Sequence, residues 1–428
     1  MMPPKGKKHC RSLPPDAFTS LPDHVIDVIL MRLPCKDAVR TSILSKKWRY
    51  HWCRLTELKL DYELWETKKD ILNSAVKFTK IIYQILTLHE GPITKFILNV
   101  FHLKSCPKID NFIYFLSKNG IQHLVLHFPL NNLCRLPSSL FTCSQLRHLN
   151  LHNCIIHHPS TFEGFDSLIS LELCEVTISS EMIKSLISLC PLLERLVLEI
   201  SELLDTIEIN APMLRSFDFK GCISSLCLKN VPLLAKVSLI GKDSHEAGYV
   251  DFAKLFESCP ALKHLLLDFY YSELFTEARD QAPTRLPFDI NSVKRFDLPA
   301  IVLMDSYGLS CALCWMRSFP YLEYLEIRVY NDAEDDHVPE SLELERFADV
   351  TFNHLREVKL GCFIGIAFEM QLIKLLLAKS PVLVRILIDP WIDDEPPDTR
   401  SKILAEVSKF SHASPEAEVV YQSEETEG

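Results

Sequence analysis

The feature that most limits what this chain can fold into is an apolar triplet that keeps returning. The pattern Leu-x-x-Leu-x-Leu, with Ile, Val or Phe allowed, stands at Leu55-Leu58-Leu60, Ile93-Phe96-Leu98, Ile121-Leu124-Leu126, Leu146-Leu149-Leu151 and Leu168-Leu171-Leu173. It continues at Leu193-Leu196-Leu198, Leu204-Ile207-Ile209, Leu214-Phe217-Phe219, Leu234-Val237-Leu239 and Leu262-Leu265-Leu267. The last copies are Val293-Phe296-Leu298, Leu322-Leu325-Ile327, Leu355-Val358-Leu360 and Leu383-Ile386-Ile388. The closing alternation of each triplet predicts a short strand with two side chains pointing inward. One such unit cannot bury its own apolar face, but a stack of units can.

Prolines keep the same register. Pro191, Pro212, Pro232, Pro260, Pro320 and Pro381 each stand two residues before the first anchor of a triplet. Several close an amphipathic run: SSEMIKSLISLCP, VDFAKLFESCP, SCALCWMRSFP and FEMQLIKLLLAKSP. A proline ends a helix because it lacks an N–H and restricts the residue before it. Each unit is therefore helix, turn, strand, at a period of roughly 20 to 30 residues, close to that of leucine-rich repeats. A stack of this kind predicts a curved α/β solenoid with strands inside and helices outside. Two copies continue into a cysteine that faces the interior turn, Cys154 and Cys222. Between residues 204 and 239 the spacing shrinks to about ten, too short for a helix, and a bare loop is expected on the convex side.

Ahead of the repeats lies a helical hook, DAFTSLPDHVIDVILMRLPCKDAVRTSILSKKWRYHWCRLTELKL. Pro22 and Asp23 suit a first helical turn. Val25, Ile26, Ile29, Leu30 and Leu33 follow at helical spacing, and Pro34 ends the run. Lys36-Asp37 opens a second helix with Ala38, Val39, Ile43 and Leu44. A third carries Trp48 and Trp52 on one face. About 40 residues is near the lower limit for independent folding. Two readings of the hook therefore stand: a cap on the repeat domain, or a docking module whose apolar surface belongs to a partner.

The same residues resemble the F-box: Leu21-Pro22-Asp23, Ile29-Leu30, Leu33-Pro34 and AVRTSILSKKWRYHW, in order. The resemblance implies binding to the Skp-type adaptor of a cullin ubiquitin ligase. It places that contact on Leu21, Pro22, Ile26, Ile29, Leu33, Pro34, Val39, Leu44 and Trp48. From Thr351 to Gln422, HLREVKLGCFIG, the Phe368–Ser380 helix, LVRILID and FSHASPEAEVVYQ resemble the FBD module of plant F-box proteins with leucine-rich repeats. Val419, Val420 and Tyr421 read as a last strand. The expected fold is an N-terminal three-helix F-box followed by a curved leucine-rich-repeat solenoid closed by a C-terminal FBD segment. The expected divisions are a disordered basic tail (1–15), F-box (16–54), repeats (55–350), FBD segment (351–422) and acidic tail (423–428).

Composition narrows the partners. The net charge of −10 disfavours nucleic acid, and no apolar run approaches the ~20 residues of a membrane helix. The start, MMPPKGKKHCR, is basic and polar and reads as a solvated tail rather than a secretory signal; Lys5, Lys7, Lys8 and Arg11 could form a weak nuclear signal. The 15 cysteines are odd in number and scattered, many inside apolar runs, and no Asn-x-Ser/Thr sequon occurs. Both features point to the cytoplasm or nucleus.

Catalytic constellations are missing from the pattern: no nucleophile elbow, phosphate loop or zincin helix occurs. Cys311-x-x-Cys314 lies inside a predicted helix and reads as core packing. His152, His157, His158 and Cys154 are ligand types at a repeat turn, and no metal or cofactor is expected. The acidic runs at Asp332, Glu334, Asp335, Asp336 and at Asp389, Asp393, Asp394, Glu395 lack the spacing and glycine turn of a calcium loop. What remains is a binding surface on the residues between the inward anchors. His148, Asn150, Arg195, Asp218, His264, Tyr324, Glu326 and Arg328 share that concave face, the last three beside Arg295 and Asp297 of the preceding repeat. The implied function is a non-catalytic target receptor of a ligase, which holds a target so that effective concentration supplies the rate. A leucine-rich binding scaffold without a ligase is the alternative.

Overall fold

The computed structural model of the chain describes residues 20–61, 74–130, 133–241, 250–268, 285–287, 289–301, 306–329, 349–391 and 397–421. The basic tail 1–15, the first F-box residues 16–19, the acidic run at 332–336, Asp393 to Glu395 and the tail 423–428 lie outside them. Two units divide at Leu168/Ile169.

In the N-terminal unit the hook begins with α1 (Asp23–Met31), and the Pro22 carbonyl accepts the N–H groups of Val25 and Ile26. Pro34 repeats this role for α2 (Cys35–Arg40), its carbonyl accepting from Asp37 and Ala38. The second helix is shorter than the sequence suggests. It tightens into a 3-10 turn at Thr41–Ile43, and Leu44 lies beyond it. The third helix, Trp48–Arg54, is 3-10 as well, and it buries both Trp48 and Trp52. Then come β1 (Glu57–Leu60), α3 (Ser74–Leu88), β2 (Lys95–Asn99), α4 (Ile109–Lys118), β3 (His123–His127), β4 (Cys134–Arg135), β5 (His148–His152) and β6 (Cys154–Ile155). Strands β1, β2, β3 and β5 form a parallel ladder in which Leu58, Phe96, Leu124 and Leu149 share a buried row. Leu60, Leu98, Leu126 and Leu151 form a second row. Each fully buried leucine contributes about 1.5–3 kcal/mol, so the anchors of the triplet are also the glue between repeats.

The C-terminal unit repeats the scheme. Its elements are β7 (Ser170–Cys174), α5 (Ser180–Ser188), β8 (Arg195–Glu199), β9 (Leu204–Asn210), β10 (Ser216–Lys220), β11 (Ile223–Lys229), β12 (Lys236–Ile240), α6 (Phe252–Ser258) and β13 (His264–Leu267). These are followed by β14 (Arg295–Ile301), α7 (Ser306–Arg317), β15 (Tyr324–Val329), β16 (Glu357–Phe363), α8 (Ala367–Lys379), β17 (Arg385–Pro390), α9 (Pro397–Val407) and β18 (Glu418–Tyr421). The parallel ladder runs β7-β8-β10-β12-β13-β14-β15-β16-β17-β18. One carbonyl sets the register at every step. Ile169 O accepts the N–H groups of both Glu194 and Arg195, Lys263 O those of Lys294 and Arg295, and Lys294 O those of Glu323 and Tyr324. The C-terminal segment from residue 351 supplies β16, β17 and β18 in the same register, so its last strand extends the ladder as the ending EVVY suggests.

One expectation is corrected. Residues 204–239 carry no bare loop. Leu204-Ile207-Ile209 belongs to β9, which leaves the main ladder and pairs in parallel with β11 in a second, two-stranded sheet. Strand β9 packs against α5 and β11 against α6, so extended segments occupy the helix position of these short repeats. Gly221 makes the turn between the sheets at φ 151°, where a Cβ would collide with the Ile200 carbonyl oxygen. Cys154 and Cys222 are buried at their turns as read from the pattern.

Candidate interaction surfaces

The hook sorts its nine candidate residues by depth. Ile26 and Trp48 are buried and hold the helices together. Leu21, Ile29 and Val39 are half-buried, and Pro22, Leu33, Pro34 and Leu44 are exposed. Sequence reasoning missed part of this surface: Val28, Met31 and Tyr50 are more than half exposed and Ile43 is 88% exposed. So much uncovered apolar area on one short segment marks an interface. Charge pins the segment's first turn. The Lys47 ammonium donates to the Leu21 carbonyl and pairs with Asp23 at 3.1 Å, holding that carboxyl below the usual carboxylate range. On the buried side His51 Nδ1 lies 3.2 Å from Asp27 Oδ1.

The strand residues between the anchors are partly exposed along both ladders, opposite the buried rows. In the C-terminal unit the structure brings together five of the predicted target-binding residues. Arg295 and Tyr324 are register partners, as are Asp297 and Glu326. Glu326 Oε2 accepts from Arg295 Nη2 at 3.1 Å and from the Tyr324 hydroxyl at 3.2 Å. Its Oε1 accepts from Arg328 Nη2 at 3.3 Å, and Lys359 Nζ lies 3.9 Å away. Arg295 Nε also donates to both oxygens of Asp297, at 2.9 and 3.1 Å, and Oδ2 lies 2.6 Å from His264 Nε2. Burial and then the Glu326 carboxylate push the Tyr324 hydroxyl up, so it stays protonated and donates. The mixed aromatic and charged face read from the triplets is thus one connected network. His264, also read from the triplets as part of that face, and Lys359, which was not, complete it. Asp297 is buried and orients Arg295 instead of facing a partner.

The other candidates stand apart from this network. Arg195 forms an ion pair of 2.5 Å with Glu172 across β7 and β8. His148 and Asn150 lie on β5 of the N-terminal unit, in a patch the sequence signals only through the repeated spacing HLVLH and HLNLH. There His123 stacks on His148 at 4.3 Å, while His127 stacks on Phe101 at 4.9 Å and meets His152 edge-on at 4.3 Å. Burial, and then His152, push the His127 imidazole down to about 4, so His127 is uncharged at neutral pH.

Among the described residues no group of three His, Cys, Asp or Glu side chains could hold a metal ion. No described helix is long and apolar enough to cross a membrane. Every described cysteine is a free thiol. Cys311 and Cys314 are buried on α7, whose Trp315 meets Phe252 at 5.0 Å, and burial pushes the Cys314 thiol up to about 12. This pair is core.

Residues 18–60 match the model of the F-box domain. Residues 109–327 match a model described as the leucine-rich repeats of FBD-associated F-box protein At5g56370. The chain is 32% identical to F-box/FBD/LRR-repeat protein At1g13570 of Arabidopsis thaliana over 95% of its own length and 98% of that protein's. It is 30% identical to F-box/FBD/LRR-repeat protein At5g56420 of the same plant, over 43% of each chain. It is 28% identical to putative F-box/LRR-repeat protein At4g15060, again of Arabidopsis thaliana, over 73% of each.

Proposed function

Because the chain belongs to the F-box/FBD/LRR-repeat family, we propose that it is the target-binding receptor of an SCF-type cullin-RING ubiquitin ligase. F-box proteins generally act there as substrate receptors. The observation that carries the reading is the dense uncovered apolar surface of the hook, which lies on residues that match the F-box. The Skp-type adaptor docks on Leu21, Pro22, Ile29, Leu33, Pro34, Val39 and Leu44, and through it the cullin scaffold is reached. Ile26 and Trp48 support that surface from beneath. Val28, Met31, Ile43 and Tyr50 extend it.

The repeats form a curved solenoid that the FBD strands close, and its concave face holds the target. The network centred on Glu326 is the strongest part of that face, because arginine and tyrosine are the residues most enriched at binding hot spots. The chain is not an enzyme and needs no cofactor. Its work is to hold a target near a ubiquitin-loaded conjugating enzyme, which turns a bimolecular encounter into a local one. The free thiols of the described cysteines, most of them buried, and the missing sequons suit action in the cytoplasm or nucleus. Co-purification with a Skp-type adaptor tests the proposal. Capture of the adaptor by the intact chain supports it. A folded chain that never captures one supports a leucine-rich scaffold without a ligase role.

A further inference from the structure

Along the solvent-facing side of the C-terminal ladder's strands, opposite the buried rows, ions pair across strands mostly one to one. Arg195 meets Glu172 at 2.5 Å, Lys220 meets Glu199 at 2.5 Å, Lys236 meets Asp218 at 2.6 Å and Arg385 meets Glu357 at 3.0 Å. The pattern breaks at Glu326. Arg295 from β14, Arg328 from β15 and Lys359 from β16 converge on its single carboxylate. Asp297 adds one more carboxylate, on Arg295. Three cations against two carboxylates leave one positive charge in excess, in a chain of net charge −10.

Depth decides which sign a partner meets. The side chains of Asp297 and Glu326 are 8% and 14% exposed, whereas those of Arg295 and Arg328 are 40% and 50% exposed. The carboxylates form the floor and the guanidinium groups form the surface. Both guanidinium groups are also held in place. Arg295 lies with its guanidinium carbon 4.1 Å from the Tyr324 ring centroid. The stem of Arg328 lies across Gly361 on β16, where a Cβ would meet its Cγ at 2.9 Å. Glu326 takes the Nε and Nη2 edge of Arg328, and the opposite edge of that planar fork is turned away from it. A guanidinium held this way has already lost much of the rotamer freedom that binding would otherwise cost.

We infer that this site binds an oxyanion, the carboxylate or phosphate of a target segment, in the fork presented by Arg328 and Arg295. Glu326 and Asp297 are positioning residues that hold the fork open. The inference rests on the strand face opposite the buried rows being the target surface, and it names the chemistry that face recognises. A paired guanidinium fork matches either oxyanion in two parallel N–H···O bonds.

The test uses the full chain and two probes, a hexaglutamate peptide and inorganic phosphate, titrated calorimetrically at low ionic strength with hexalysine as the control. Saturable binding of at least one anionic probe is expected. A preference for hexaglutamate assigns a carboxylate, and a preference for phosphate assigns a phosphorylated partner. Arg328→Gln is expected to weaken binding tenfold or more. Gly361→Ala, which changes no charge but displaces the Arg328 stem, should weaken it in the same direction. Lys220→Gln, on the same face but in a one-to-one pair, should leave it unchanged. No saturable binding by the folded wild-type chain, or an equal loss in Arg328→Gln and Lys220→Gln, overturns the inference. The titration involves no adaptor, so failure of the ligase reading would appear in adaptor co-purification and not here.

Discussion

Arg295 lies over Tyr324, its guanidinium carbon 4.1 Å from the ring centroid, and the two residues are register partners on adjacent strands. The stack is the hinge of the proposed target surface, because it orients the arginine that bridges Asp297 and Glu326. A double-mutant cycle of Arg295→Met and Tyr324→Leu, read by urea unfolding, should give a coupling of about 0.5–1 kcal/mol, the size of a partly exposed cation–π contact. Additive effects would mean that the stack orients nothing.

Target capture should depend on the strand face and not on the helices. Charge reversal at Arg328 together with Tyr324→Ala should reduce capture or turnover of a target. A matched double change on α6, at Lys254 and Glu257, should not. Equal losses for both pairs, or a loss for the helical pair alone, would place the target elsewhere.

The turn between β16 and α8 depends on one buried acid. Glu369 Oε2 accepts the N–H groups of Ile364, Gly365 and Ile366 at 3.1, 2.6 and 3.1 Å. Gly365 sits at φ 82°, with Ile403 of α9 against the place where a Cβ would be. Hydrogen bonds to a charged group contribute about 1.5–3 kcal/mol each, and neighbouring bonds of this kind are not additive. Glu369→Ala should therefore lower unfolding stability by roughly 3 kcal/mol. Glu369→Gln, which keeps an acceptor, should cost less. An unchanged urea midpoint in the alanine variant would contradict this role.

Acid should loosen the N-terminal ladder. Burial, and then His152, push His127 down from 6.5 to about 4. Burial, and then His148, Lys95 and Arg147, push His123 down as well, with Glu57 opposing them. A histidine whose folded value is depressed binds more protons when unfolded. Its contribution is therefore fully present above about pH 6.5 and is lost as pH falls toward 4. Urea midpoints should drop between pH 7 and pH 5. His127→Phe, which keeps a ring against Phe101, should drop less. An identical pH slope in the variant would show that His127 does not couple to folding.

The triplets and prolines made the ladder legible because a two-residue alternation fixes which side chains go inward, and a one-residue slip would expose every anchor. The same rule misread β9. Leu204-Ile207-Ile209 satisfies the triplet as well as any ladder strand, and only its distance from Leu214 shows that it lies off the ladder. Helix α9 went unread because few of its described side chains are buried, chiefly Ile403 and Val407, which leaves a faint periodic signal. At the candidate site, the grouping of Tyr324, Glu326 and Arg328 with Arg295 followed from register alone. Which charges form the floor did not, because that depends on how long side chains fold across strands, as Arg328 does over Gly361.

Docking of a Skp-type adaptor on the hook is proposed from the family and from the exposed apolar residues. The most direct measurement is the affinity of the purified adaptor for the intact chain and for the Leu21→Ala, Pro22→Ala double variant, with circular dichroism and urea unfolding as checks that the repeats stay folded. Truncations at an interface centre commonly cost about 2 kcal/mol or more, roughly 30-fold in Kd. Tight binding by the intact chain and at least that loss in a folded variant are expected. Unchanged adaptor affinity in the folded double variant would contradict this docking.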